Sequence, residues 1–321
     1  MKIAIAGAGA MGGRVGLYLT ESGQDVVMLD KWQDHVDAMN GNGVAVHSYG
    51  ETTNHKVKAV FMDDYNEPAD LVILLTKALT AEETIDNLIK QGVITKETKV
   101  MSLMNGLGHG DMLLKRLSVE QVILAVTMWS AGLKGPGELI LEGTGNIEFG
   151  YPDGHVDAFI EKLKVILDEA KLNGVISNDI VTSIWNKALV NCCFNTYCSV
   201  TDKRIGEFGA YEQADAMLIP LVKEIIAVGA TKGAKLDLDA TMEKFHKMYS
   251  PDVVGLHYPS MTQDIHNGRK TEVDFLTGAV SRYGDEAGIE TPYCDILTHV
   301  VHQIEKQILI FTRHVITCLV F

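Results

Sequence analysis

A doubly wound α/β domain on a mostly parallel sheet, followed by an all-helical domain, is the expected architecture of this chain, on three observations. Short apolar runs alternate with helical stretches over the first half. A glycine-rich turn joins the first run to the first helix. From about residue 180 onward the apolar spacing is helical throughout.

The elements follow in order. Lys2 to Ala6 reads as a buried strand, and it ends in Gly7-Ala8-Gly9-Ala10-Met11-Gly12. Each glycine serves a separate physical purpose. Gly7 permits the tight turn, Gly9 lets the backbone approach a pyrophosphate, and Gly12 lets the helix pack close to the strand. The helix N-terminus then faces the anion. The helix runs to about Ser22, where Gly23 supplies a stop. A second strand, Asp25 to Leu29, delivers Asp30 eighteen residues past Gly12, where a carboxylate meets the adenosine ribose. Strand, glycines, helix, strand and acid in this order form the dinucleotide fingerprint of a Rossmann domain. Asp30 favours NAD, because it can accept from a 2′-hydroxyl but repels the 2′-phosphate of NADP. NADP is the alternative, with Lys31 turned inward to receive that phosphate.

Asp70 to Thr76 is the next buried strand, Thr80 to Lys90 a helix, Lys99 to Met104 a strand and Gln121 to Met128 another. Ligands in such sheets sit beyond the carboxyl ends of the strands. Lys77 and Asn105-Gly106-Leu107-Gly108 fall at two of those ends, so Asn105 is placed to reach a nicotinamide ribose or the substrate, unless the segment only makes a turn. After Gly135-Pro136-Gly137 an antiparallel pair is expected, Glu138 to Leu141 with Asn146 to Phe149, then an amphipathic helix from Val156 to Leu172. Helices near 181–200, 212–233, 239–248 and 270–287 complete the second domain. The expected limits are 1–178 for the Rossmann domain and 179–307 for the helical one, joined near a hinge at 174–182. An apolar tail of unassigned role, 308–321, remains.

The helical domain opens on a polar stripe. Within Ile184 to Asn195, Lys187, Asn191 and Asn195 recur every four residues, each rotated by only about 40° from the last on a helix. Their neighbours are mostly apolar, which marks a buried helix. A lysine on such a helix must face a cleft or find partners, since an unpaired buried charge is costly. The plainer alternative is a core helix whose lysine snorkels to water and whose asparagines cap neighbouring backbone.

Composition bounds the function. A net charge of −14 disfavours nucleic acid and anionic membrane as partners, and 46% hydrophobic residues supply ample core. Five cysteines, Cys192, Cys193, Cys198, Cys294 and Cys318, show no Cys-x-x-Cys spacing; they read as reduced core thiols of a cytoplasmic protein, and no metal site is expected. No secretory leader is expected ahead of the first strand. The tail is shorter than the roughly 20 residues of a membrane helix and carries Arg313 and His314. The expected partner is a small molecule, with a homodimer left open.

Taken together, these residues give the chain, up to about Gln307, a pattern that resembles the ketopantoate reductase (2-dehydropantoate 2-reductase) family. The hallmarks stand here as Gly7 to Gly12, Asn105 to Gly108, Trp185 to Asn195, Ser260-Met261-Thr262-Gln263-Asp264 and Thr271-Glu272-Val273-Asp274, in the family's order. The resemblance implies reduction of a 2-oxo acid to an (R)-2-hydroxy acid by a nicotinamide cofactor, with Lys187 as general acid. It implies that Asn191, Asn195 and Ser260 hold substrate, that Asn105 lies between substrate and cofactor, and that Glu272 works where lysine, substrate and nicotinamide meet. Gly7 through Gly12, Asp30, Lys77 and Ala131, the last through its backbone, would contact the cofactor. Two departures matter: typical members have a basic residue where this chain has Asp30, and many have asparagine where it has His257. Both features resemble the NAD-dependent D-2-hydroxyacid dehydrogenases of the D-mandelate and D-2-hydroxyisovalerate types. The β-hydroxyacid dehydrogenases share a lysine and asparagine at this spacing, but Thr182-Ser183-Ile184-Trp185 replaces their glycine-rich run. A non-catalytic dinucleotide sensor would have no use for the polar stripe.

The chemistry accounts for the residue types independently. Hydride delivery to a C2 carbonyl builds an alkoxide, which needs a proton donor within hydrogen-bond reach. A buried lysine titrates below its reference value of about 10.4, closer to working pH, and Glu272 can keep it charged. Asparagines bind hydroxyl and carboxylate oxygens without adding a charge. His109, His257 and His266 are rival acids untied to any motif and are expected to be structural or at the surface.

Overall fold

The computed structural model describes residues 1–319, and side chains through residue 307. The tail 308–321, with Cys318, lies outside the described side chains. The chain divides into two compact units, residues 1–104 with 109–183, and residues 105–108 with 184–321. The boundary falls within one helix, and the Asn105–Gly108 turn groups with the second unit.

The first unit opens with β1 (Lys2–Ala6), α1 (Ala10–Glu21), β2 (Asp25–Asp30) and α2 (Gln33–Asn42). It continues through β3 (Val44–Ser48), β4 (Glu51–His55), β5 (Ala59–Phe61), β6 (Leu71–Leu74), α3 (Ala81–Lys90) and β7 (Lys99–Ser102). Then come α4 (His109–Leu114), β8 (Val122–Thr127), β9 (Gly132–Gly135), β10 (Glu138–Ile140), β11 (Ile147–Gly150), α5 (Ala158–Glu169) and β12 (Gly174–Ile176). Eight strands form one sheet in the order β12-β11-β8-β7-β6-β1-β2-β5, mostly parallel, with β11 antiparallel to β8. Ile3, Ile5, Leu71 and Ile73 at its centre are fully buried, which is why β1 and β6 read as unbroken apolar runs. The winding reverses between β1 and β6, the switch point at whose carboxyl edge ligands bind in such sheets.

The second sheet corrects the sequence expectation. Glu138–Leu141 and Asn146–Phe149 do not pair with each other. Instead β10 runs antiparallel to β9 and parallel to β3 in a four-stranded sheet, β4-β3-β10-β9, while β11 joins the main sheet. Leu139, Ile147 and Phe149 are all buried in one core, Leu139 packing on Gly13 of α1, where a Cβ would lie 2.7 Å from the leucine. The β3–β4 hairpin is not legible in the sequence because β4, Glu-Thr-Thr-Asn-His, has no apolar alternation, and its tight turn is Tyr49-Gly50, both at positive φ.

The second unit carries α6 (Ile180–Thr201), α7 (Ile205–Gly209), α8 (Ala214–Thr231), α9 (Leu238–Met248), α10 (Ser260–His266), α11 (Thr277–Ala287) and α12 (Pro292–Leu319). The helix expected over 270–287 is interrupted: a 3-10 turn spans Val273–Phe275, and Leu276, at φ −115° and ψ −108°, separates it from α11. The far half of α6 is deeply buried; Phe194 packs on Phe245 at 4.7 Å between ring centroids. Cys192, Cys193, Cys198 and Cys294 are free and buried, and burial pushes their thiols well above the usual range. Among the described residues, no helix is long and apolar enough to cross a membrane.

Candidate active site

Two sites emerge, one in each unit. In the first, Gly7 sits at φ +95°, and a Cβ there would lie 2.7 Å from the Thr76 amide nitrogen, so the turn after β1 is pressed against the end of β6. A Cβ on Gly12 would lie 1.8 Å from the Gly7 carbonyl oxygen, which makes glycine obligatory where α1 meets the turn. Gly9 is the opposite case: a Cβ there would meet nothing within 4 Å. The space over Gly9 is therefore open at the start of α1, whose N-terminus has no side-chain cap and no acid in its first turn. Backbone N–H groups and the positive end of the helix dipole thus face an open cradle of the kind that takes a pyrophosphate.

Asp30, half-buried at the end of β2, braces this turn. One carboxylate oxygen accepts from the Ala8 N–H at 2.8 Å and the other from the Trp32 N–H at 3.0 Å. Each oxygen keeps acceptor capacity for a hydroxyl. Lys31 turns away to two acids, its Nζ 2.8 Å from Glu83 and 3.9 Å from Asp63, and the bond to Glu83 raises its pKa. His35 is a support that the sequence did not disclose. Its Nδ1 accepts from the Gly137 N–H at 2.9 Å, so Nε2 carries the proton and donates to the Ala8 carbonyl at 3.0 Å. Lys77 is exposed before the 3-10 turn Ala78–Thr80, and Ala131 is half-buried just ahead of β9.

The second site lies wholly within the helical unit. Asn105, Asn191, Asn195, Ser260, Met261, Asp264, Glu272 and Leu276 line a recess of about 250 Å³, counting space open to solvent. Residues from four distant stretches of chain are thereby brought together. Asn195 is buried, and its Oδ1 accepts from the Met261 N–H at 3.3 Å and from the Ser260 hydroxyl at 3.4 Å, so it holds the start of α10 as well as lining the recess. Asn105 arrives because its turn packs on the 3-10 segment: the Leu107 N–H donates to the Phe275 carbonyl at 2.8 Å. A Cβ on Gly106, at φ +93°, would lie 2.6 Å from that same oxygen.

Lys187 stands one turn before Asn191 on α6, outside the recess lining, and is linked to it electrostatically through Glu272. Burial lowers its ammonium to about 8, while the Glu272 carboxylate pulls in the opposite direction. None of His109, His257 or His266 lines the recess; His109 is buried, His257 is exposed, and His266 pairs with Asp202 at 2.7 Å. Sequence reasoning missed Asp264, Met261 and Leu276 as lining residues. Asp264 carried a signal, since its place four residues after Ser260 sets both on one helix face. It is buried and receives Arg269 Nε at 2.8 Å. Leu276 carried none, because the break in the helix that exposes it to the recess is a tertiary feature.

The doubly wound sheet with its glycine cradle, and a lysine held near a carboxylate in an all-helical unit, place the chain among the nicotinamide-dependent oxidoreductases. Comparison with known proteins narrows the class. The family model described as ketopantoate reductase PanE/ApbA matches residues 3–154, and that for the C-terminal part of the same family matches residues 179–305. The chain belongs to the ketopantoate reductase family. It is 38% identical over 309 residues to a 2-dehydropantoate 2-reductase of Lactococcus lactis, covering 95% of this chain and 98% of the relative. A ternary structure of D-mandelate dehydrogenase with NADH and anilino(oxo)acetate superposes with a TM-score of 0.90 at 39% identity, covering 96% of this chain and 99% of the other. A PanE/ApbA family ketopantoate reductase from Ralstonia eutropha gives 0.86 at 26% identity, covering 96% and 100%.

Proposed function

We propose that this protein reduces a 2-oxo acid to the corresponding (R)-2-hydroxy acid with NADH, and that Lys187 is the proton donor. The observation that carries the proposal is Lys187, brought to about 8 by burial, paired electrostatically with Glu272 and aligned on α6 with the recess-lining Asn191 and Asn195. Gly7 through Gly12 would hold the dinucleotide, with Asp30 at its ribose and Lys77 and Ala131 at its margins. When bound, the nicotinamide supplies the hydride for the C2 carbonyl carbon.

The chain's own residues do the rest. The Lys187 ammonium donates a hydrogen bond to the carbonyl oxygen, and as negative charge grows there its proton moves from Nζ to that oxygen. Glu272 keeps the ammonium charged until that moment. Asn191, Asn195 and Ser260 offer neutral donors and acceptors to the carboxylate and hydroxyl oxygens of the substrate. Asp264 is tied to Arg269, so its charge is balanced where the substrate carboxylate must enter.

NADH rather than NADPH is supported by the surroundings of Asp30. Lys31 already holds Glu83 and Asp63, so a 2′-phosphate would meet three carboxylates rather than a waiting cation. The same feature, with His257 in place of the usual asparagine, favours a second reading within the same chemistry: a D-2-hydroxyacid dehydrogenase acting on D-mandelate or branched 2-hydroxy acids. The buried thiols fit a cytoplasmic enzyme. The test is to follow nicotinamide absorbance with ketopantoate, phenylglyoxylate and 2-oxoisovalerate against NADH and NADPH. Oxidation of NADH by at least one acid is expected, and the preferred acid separates the two readings. No turnover with any of the three and either cofactor would overturn the proposal.

A further inference from the structure

The Thr271-Glu272-Val273-Asp274 segment is held from both sides by one face of α12. Glu305 of that helix is buried, and a buried carboxylate must be satisfied by hydrogen bonds. Its Oε1 accepts two, from the Thr271 N–H and the Thr271 hydroxyl, each at 2.7 Å. The same hydroxyl oxygen accepts from the Val273 N–H at 3.3 Å. The backbone on both sides of Glu272 is therefore tied, directly or through one hydroxyl, to Glu305. One turn back on α12, His302 Nε2 lies 2.9 Å from Asp274 Oδ1. Residues three apart share a helix face, so His302 and Glu305 grip the two polar residues that flank Glu272.

The grip itself is anchored. Both oxygens of the buried Glu224 on α8 accept from the first turn of α12, from the Tyr293 and Cys294 N–H groups at 2.9 Å each. On the other side, Arg282 Nη1 of α11 donates to the Asp274 carbonyl at 2.8 Å. Glu272 thus sits on a short segment fixed at Thr271 and Asp274, lining the recess and acting electrostatically on Lys187. The motif divides its labour: threonine and aspartate are handles, and the glutamate between them is the working group.

We infer that Glu305 is a positioning residue for Glu272, acting through Thr271 and touching neither substrate nor cofactor. The inference rests on the proposed role of Glu272 as partner of Lys187. Displacement of a working group by about 1 Å can cost on the order of 10²-fold in rate. In the full-length enzyme with NADH and its best 2-oxo acid, E305A should lower kcat by roughly 10- to 100-fold while the KM for NADH stays within about twofold. E305Q keeps a carbonyl oxygen for both Thr271 donors and should recover most of kcat. In the E272Q background, E305A should add little further loss, because residues acting through one group are not additive.

A multiplicative loss in the double variant, or wild-type kcat in E305A despite a lowered Tm, would overturn the positioning role. Should E305A fail to fold, T271V removes the hydroxyl that ties Val273 to Glu305 and should reproduce the fall in kcat; a folded T271V with normal kcat would also overturn it. E272Q separates this failure from that of the underlying reading. Unimpaired E272Q removes Glu272 from the mechanism and the inference with it, whereas an impaired E272Q beside unimpaired E305A and T271V refutes the inference alone.

Discussion

The glycine cradle of the first unit and the recess of the second are built in opposite ways. The cradle is made of backbone, and what matters there is the absence of atoms: a Cβ on Gly7 or Gly12 would collide with neighbouring main chain, and one on Gly9 would occupy open space. The recess is made of side chains from α6, the Asn105 turn, α10 and the segment after it. A backbone site is written in consecutive residues, because one turn of chain supplies all its donors. A side-chain site is written in pieces, and only packing assembles them.

The sharpest way to break this contrast is at Lys187. Lys187→Ala should lower turnover by about 10² to 10⁴, the usual order for loss of a general acid, with little change in NADH affinity. Steady-state kinetics beside cofactor titration would measure both, and near-normal turnover would remove Lys187 from the chemistry.

Within the cradle, two glycines should fail differently. Gly12→Ala places a methyl group against the Gly7 carbonyl and should destabilise the first unit, lowering Tm by several degrees or more. Gly9→Ala meets no protein atom, so Tm should hold while KM for NADH rises by about tenfold or more. Equal Tm losses in both variants, or unchanged NADH binding in Gly9→Ala, would show that the open space is not the pyrophosphate cradle.

A pH profile probes the recess more gently. Lys187 titrates at about 8, and a general acid must be protonated at the start. Turnover in the reductive direction should therefore hold below that pH and fall as pH rises through it, by about tenfold per unit at the limit. Oxidation of the hydroxy acid, which needs the free amine, should rise over the same interval. A reductive rate flat to about pH 10 would contradict the assignment.

The smallest effect is expected at Asp30. Asp30→Ala removes a like charge from the place of a 2′-phosphate and should narrow the preference for NADH over NADPH by several-fold. It also removes the acceptor for the Ala8 and Trp32 N–H groups, so part of the NADH affinity should go with it. Better catalytic efficiency of the wild type with NADPH would show that Lys31 leaves Glu83 to receive the phosphate.

Much of this molecule is legible along the chain: the order of strands and helices around the glycine turn, the arrival of Asp30 at the end of β2, and the alignment of Lys187, Asn191 and Asn195 on α6. All of these depend on spacing between residues near in sequence, where helical and extended periodicities translate directly into position. Packing settled the rest: β10 leaves its neighbour β11 to pair with the distant β3, Lys31 is drawn away to Glu83, His35 links the Ala8 carbonyl to Gly137, and α12 grips Thr271 and Asp274. The physical reason is common to these cases. Each joins groups from separated parts of the chain, and the choice of partner is set by burial and by hydrogen bonds that must be satisfied once water is excluded, for which no local pattern exists.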